Sequence, residues 1–127
     1  MKRDMDLVRT LLLDVENNQD GDGGDYAPEI PGYSRYNTDH HIKIMQQAGL
    51  LEASASTEKG EETGSPERTI WVSTLTWKGY EFLDMARKEA VWELAKESTW
   101  VATGGLGFKG LKMTLSKLIK QSIQDGQ

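Results

Sequence analysis

Apolar residues first recur at helical spacing over residues 4 to 16. Met5, Val8, Leu12 and Val15 lie three or four apart, and Leu11 widens the stripe. Asp4 is placed to cap this helix, and Asp6 suits the positive end of its dipole. The helix is predicted to end in the acidic, glycine-rich "NQDGDGGDYAPE". The following "APEIPGYSRYN" holds too much Pro and Gly to be helical, and Ile30 is placed to pair briefly as an edge strand. A second helix is predicted over "TDHHIKIMQQA", residues 38 to 48, with Asn37 or Thr38 as its cap and Gly49 just past its end. At about 100° per residue, His41, Ile44, Met45 and Ala48 share one side. Asp39, His40, Lys43, Gln46 and Gln47 share the other.

Two β-prone stretches follow, "LLEASAS" and "RTIWVSTLT", joined by the polar "TEKGEETGSPE". They predict a hairpin with a long tip. Thr76 is then placed to cap a single third helix, "WKGYEFLDMARKEAVWELAKES", with Tyr80, Leu83, Ala86, Ala90 and Leu94 as its apolar stripe. "TGGLG" interrupts the chain before a last helix over residues 108 to 124. Helix, helix ending in "AGLLE", hairpin, then "LTWKGYEFL" is the element order of a winged helix. There the helix before the hairpin docks in the major groove and the hairpin is the wing. The expected fold is α+β: a winged-helix-like domain over residues 1 to 98 (helix, helix, β-hairpin wing, helix). Residues 99 to 127 are a Gly-rich linker and a C-terminal amphipathic helix.

The stretches "MKRDMDLVRTLLLDVE", "EIPGY", "HHIKIMQQAGLLEA" and "LTWKGYEFLDMAR" with "VWELAKE" resemble the bacterial and prophage proteins of domain of unknown function family 2513. The resemblance covers most of residues 1 to 98. It implies a small winged-helix-like protein, often encoded in mobile elements, and it supplies no catalytic residues. One departure from a standard helix-turn-helix stands out. The space between Glu16 and Thr38 is taken up by the acidic loop and "EIPGYSRYN", so the bracing helix is expected to be short or missing.

Charge narrows the choices. The net charge is −5, which opposes nonspecific coating of nucleic acid. Residues 17 to 29 carry four acids and no base, whereas Lys109, Lys112, Lys117 and Lys120 in the last 29 residues face Asp125 alone. There is no cysteine, so thiolate metal sites and thiol nucleophiles are excluded. No apolar run approaches a membrane span and no signal-peptide pattern opens the chain. The expected compartment is the cytoplasm.

Asn18, Asp20, Asp22, Gly23 and Glu29 match the calcium-loop spacing at positions 1, 3, 5, 6 and 12. Asp25 occupies an apolar position, however, and Pro28 opposes an exiting helix. The loop is read as an acidic hinge. Adjacent His40 and His41 diverge around a helix, where zinc ligands sit at i and i+4, so no metal is expected. Trp77 and Trp92 are expected in the core. "TGGLGFKG" lacks a phosphate-loop pattern, and no nucleophile set is recognisable. The protein is expected to be non-enzymatic, without cofactors.

Two functions remain open. One is duplex DNA binding by a transcription regulator of phage or mobile-element origin. His40, Lys43, Gln46 and Gln47 would read or contact the groove, and Arg35, Lys59 and Arg68 would anchor the backbone. The acidic wing (Glu58, Glu61, Glu62, Glu67) and Asp39 oppose it. The other is a protein-interaction module on the same scaffold. Phe108, Leu111, Leu115 and Leu118 are spaced 3, 4 and 3, as in a coiled-coil seam. They are expected to form a homodimer interface, with folding back on the same chain as the alternative.

Overall fold

The first helix begins at Asp4, whose carboxylate accepts from the backbone N–H groups of Asp6 (2.9 Å) and Leu7 (3.3 Å), satisfying two of the helix's orphan donors. The computed structural model describes residues 3–21, 24–59, 66–103 and 107–125; the side chains of 56–59, 66–68, 101–103 and 122–125 are outside that description. Helix α1 is Met5–Asp20 and buries Met5, Leu7, Val8, Leu11, Leu12 and Val15. It therefore runs one turn beyond Glu16 and takes in Asn18 and Asp20. Asn18 Nδ2 donates to the Gly24 carbonyl at 3.0 Å, while Asp22 and Gly23 of the calcium-like spacing lie outside the described residues.

Beyond Gly24 the chain is extended. Tyr26 exchanges two backbone hydrogen bonds with Val72, at 3.2 and 2.8 Å, and its hydroxyl donates to Asp14 Oδ2 at 2.6 Å. Tyr26 rather than Ile30 thus makes the edge pairing, and Ile30 is buried instead. Among the described residues from Gly24 to Ser34 there is no helix, only extended chain and a turn. The bracing helix is absent from them.

Helix α2, Arg35–Gln47, starts at Ser34, whose hydroxyl accepts from the Asn37 N–H at 3.1 Å. That is three residues before the expected cap. It ends as expected at Gly49, whose φ of 79° suits a glycine. The N–H groups of Gly49 and Leu50 return to the carbonyls of Gln46 and Met45, each at 2.9 Å. Strands β1 (Leu51–Lys59) and β2 (Pro66–Leu75) form an antiparallel hairpin with Leu51 opposite Leu75 and an irregularity between Glu52 and Ala53. The tip, including Glu61 and Glu62, lies outside the described residues.

The hairpin's two ends meet at Leu50. Its carbonyl accepts from the Thr76 N–H at 3.1 Å, and the Thr76 hydroxyl donates to the Gly49 carbonyl. The same hydroxyl accepts from the Gly79 N–H at 3.1 Å, capping α3 (Trp77–Ala86) as expected. Gly79 is pressed against Leu50: a Cβ there would stand 2.0 Å from the Leu50 oxygen.

The chain divides into two compact units, Met1–Tyr80 and Glu81–Gln127. In the first, α1 and α2 pack on each other and on the hairpin, around the α1 stripe, Ile42, Met45, Leu50, Leu51, Val72 and Leu75. The second holds the end of α3, α4 (Glu89–Thr103) and α5 (Phe108–Asp125).

The expected single helix over 77 to 98 is broken at Arg87 and Lys88. Phe82 and Trp92 explain the break. An unbroken helix would separate them by about 15 Å of rise, yet their rings meet edge to face at 6.1 Å. Both are buried, and such a pair adds about 0.5–1.5 kcal/mol to the area it covers. After the break the buried stripe is Trp92, Ala95 and Thr99, while Ala90 and Leu94 are exposed. Trp77, expected in the core, is 82% exposed. Helices α4 and α5 pack together, pinned by a 2.9 Å hydrogen bond between the hydroxyls of Thr99 and Thr114.

Two predictions follow from these contacts. Gly79→Ala forces a methyl onto the Leu50 carbonyl and should destabilise by about 3 kcal/mol, the upper end of overpacking costs. Thermal denaturation reads this, and an unchanged midpoint would refute the close approach. Burial and the Asp14 carboxylate raise the Tyr26 phenol above its ordinary 10.0. Above that value the unfolded chain releases the proton first, so the folded state holds more protons and stability falls with rising pH. Tyr26→Phe should lose stability less steeply than the parent between about pH 10 and 11. Parallel curves in chemical denaturation would refute it.

Candidate nucleic-acid interface

The placement of α2 is set by His41. It is fully buried; Nε2 accepts from the Asp4 backbone N–H at 2.8 Å, and Nδ1 lies 2.8 Å from the Asn37 carbonyl. The carbonyl can only accept, so the proton sits on Nδ1 and both ring nitrogens are engaged. Neither is left for a metal. Asp4 also receives the Tyr33 hydroxyl at 3.0 Å, so one residue joins α1, the turn before α2 and α2 itself. Thr38, His41, Ile42 and Met45 form the buried face. Ile42 was not expected there, and Ala48, expected to be buried, is exposed.

The opposite face carries a line at spacing 4, 3 and 4: Tyr36, His40, Lys43 and Gln47. Tyr36 is 75% exposed, Lys43 and Gln47 are exposed, and His40 is half-buried with its ring 6.0 Å from that of His41 and nearly perpendicular to it. Three of the residues expected to contact DNA are thus brought together. Tyr36 was missed because the helix begins at Arg35, not at Thr38; a cap at Ser34 is the signal that would have included it.

The remaining candidates are placed differently. Gln46 Nε2 donates to the Ala53 carbonyl at 2.9 Å, beside the strand irregularity, so this side chain joins α2 to the wing. Arg35 lies along the flank, with Nε 3.7 Å from Asp39 and an Nη1 contact of 3.4 Å to the Pro28 carbonyl. Burial raises the Asp39 carboxyl above its ordinary 3.8, against the opposing pull of Arg35. Lys78 reaches back to the Ala48 carbonyl at 3.1 Å. Lys59 lies at the end of β1 and Arg68 opposite Thr57; their side chains, like those of Glu58 and Glu67, lie outside the described residues.

Of the four residues expected at a dimer seam, Leu111 and Leu115 are fully buried within the chain, Phe108 packs on Phe82 at 4.9 Å, and Leu118 is half-buried. Leu111 and Leu115 therefore have no area left for a second copy. Among the described residues no group of three His, Cys, Asp or Glu side chains is arranged to hold a metal ion. No helix among them is long and apolar enough to cross a membrane.

The family described as "Hypothetical protein (DUF2513)" matches residues 2–105. The chain belongs to the DUF2513 family. An uncharacterized protein of Haemophilus influenzae (strain ATCC 51907 / DSM 11121 / KW20 / Rd) is 28% identical over 123 residues, covering 97% of this chain and 99% of the relative. No solved structure matches. Within this DUF2513 chain, the α2 helix, the hairpin after it and the Asp4, Tyr33 and His41 contacts all fall inside the matched region.

Asp39 generates a prediction. Its raised pKa means that, just above pH 3.8, the unfolded chain has released a proton the folded chain still holds. Stability therefore falls as pH rises through that window. Asp39→Asn should remove this fall, which denaturation at a series of acidic pH values would show. A pH profile identical to the parent's would refute it.

Proposed function

We propose that this protein is a non-enzymatic duplex-DNA binder of winged-helix type, a transcription regulator of phage or mobile-element kind, with α2 as its reading helix. The line of Tyr36, His40, Lys43 and Gln47 on the outer face of the helix before the wing carries the proposal. A helix about 10–12 Å across fits a major groove about 12 Å wide. Gln47 and the Tyr36 hydroxyl offer hydrogen bonds to base edges, His40 presents its ring edge, and Lys43 meets guanine or phosphate. Arg35, Lys59 and Arg68 are assigned to the backbone. Gln46 serves instead to set the wing against the helix. Paired half-sites would require a contact between copies through a surface other than Leu111 and Leu115.

A protein-docking reading has its own support. Residues 1 to 80 hold fourteen acids against eight Lys and Arg, and they expose the aromatic rings of Tyr36 and Trp77. Aromatic residues are enriched at protein interfaces.

Replacing Tyr36, Lys43 and Gln47 together with Ala should weaken binding to a selected duplex by about 10–100-fold, the equivalent of one or two base contacts. Their exposure predicts an unfolding free energy within about 0.5 kcal/mol of the parent for each change. Fluorescence anisotropy and thermal melts read the two quantities. Unchanged affinity would remove α2 as the reader. Absence of any salt-dependent duplex binding by the parent would leave the protein-docking reading.

A further inference from the structure

Helix α5 has two unlike sides. One buries Leu111 and Leu115. The other exposes Lys109, Met113, Lys117 and Lys120, with half-buried Lys112 at its edge. Residues 108 to 124 contain these four lysines and no Asp or Glu. None of the four makes an ion pair among the described residues. Elsewhere in the same unit, Arg87 pairs with Asp84 at 2.6 Å and Lys96 with Glu93 at 3.1 Å. The bare cationic row is thus confined to one helix face.

We infer that the outer face of α5 is a docking surface for the phosphate backbone of duplex DNA, made by Lys109, Lys117 and Lys120 with Lys112 beside them. This rests on the duplex-binding reading and adds to it a sequence-independent contact separate from α2. Charge complementarity selects the partner. Lysine is depleted at protein–protein interfaces but is a principal source of phosphate contacts and counterion release. A lipid surface needs an apolar face to embed, and that side of α5 is already consumed within the chain, leaving Met113 alone among the lysines. Lys109 and Lys120 are eleven residues apart, about 16 Å along a helix. That spans about five phosphates of one strand at 3.4 Å each. Lysine side chains are long and carry a point charge, so no fixed register is required.

The test uses the full chain and a labelled random-sequence duplex, with anisotropy titrations over a series of salt concentrations. Lys109, Lys117 and Lys120 changed together to Gln should flatten the plot of log affinity against log salt by about 2.7, at about 0.9 per phosphate contact. Each single change should flatten it by about 0.9, which preserves the test if the triple variant fails to fold. Arg at all three positions should restore the parent slope. The Tyr36, Lys43 and Gln47 variant should lose at most the share of one charge and keep the rest. An unchanged slope in the Gln variants, while the parent binds duplex, would overturn the inference and leave α2 as the reader. Loss of slope in the Gln variants with no effect of the α2 changes would uphold the inference and remove α2. Parent binding to phosphatidylserine vesicles without binding to duplex would overturn both.

Discussion

The carbonyl of Leu50 is the point on which the first unit closes. Four elements converge within a few residues of it: the end of α2, the first residue of β1, the last of β2 and the start of α3. The Thr76 N–H fills one lone pair of this oxygen at 3.1 Å, and the α-carbon of Gly79 stacks against the same group. Any side chain at 79 would push α3 away and open the base of the hairpin. The Thr76 hydroxyl serves both sides at once, donating to Gly49 and accepting from Gly79. Buried polar groups must be paired, and here the unpaired carbonyls of one helix end are satisfied by the beginning of the next. The root of the wing is therefore fixed beside the proposed reading helix.

Asp4 plays the corresponding role at the other end of α2. Its carboxylate holds the first turn of α1 and the Tyr33 hydroxyl, and its N–H holds His41. Three short stretches that looked unrelated along the chain, "MKRD", "IPGY" and "HH", meet there. Much of what carries the family resemblance is thus a means of fixing α2 without a bracing helix. In a regular helix-turn-helix a separate helix braces the one before the wing; here a buried histidine and a capping aspartate hold α2. Of the paired histidines, the inner one has spent both ring nitrogens, and the outer ring stands nearly perpendicular to it.

The parts legible in the sequence were those set by local rules. The Asp4 and Thr76 caps, the glycine at the end of α2 and the hairpin all follow from residue type and neighbours. What escaped was decided at long range. Nothing between residues 80 and 98 breaks a helix by composition; the break at Arg87 and Lys88 lets Phe82 and Trp92 meet. Trp77 was misplaced because its size suggested burial, whereas its side chain is exposed. In the candidate site, a start three residues early was enough to hide Tyr36, because that residue fell outside the expected helix.

Charge is the remaining constraint on any nucleic-acid role. A net −5 describes the whole molecule, but phosphate contacts respond to charges within about a Debye length, roughly 10 Å at moderate salt. Residues 1 to 80 are strongly acidic, whereas residues 81 to 127 hold seven Lys and Arg against six acids, with the cations gathered on α5. The acidic excess of residues 1 to 80, which includes five Glu between residues 51 and 75, opposes indiscriminate attraction to DNA. A row of unpaired lysines restores attraction only where that face can reach the backbone. For a duplex-binding role of the kind proposed, affinity would depend on presenting particular faces rather than on total charge, and the acidic composition would weigh against retention on random DNA.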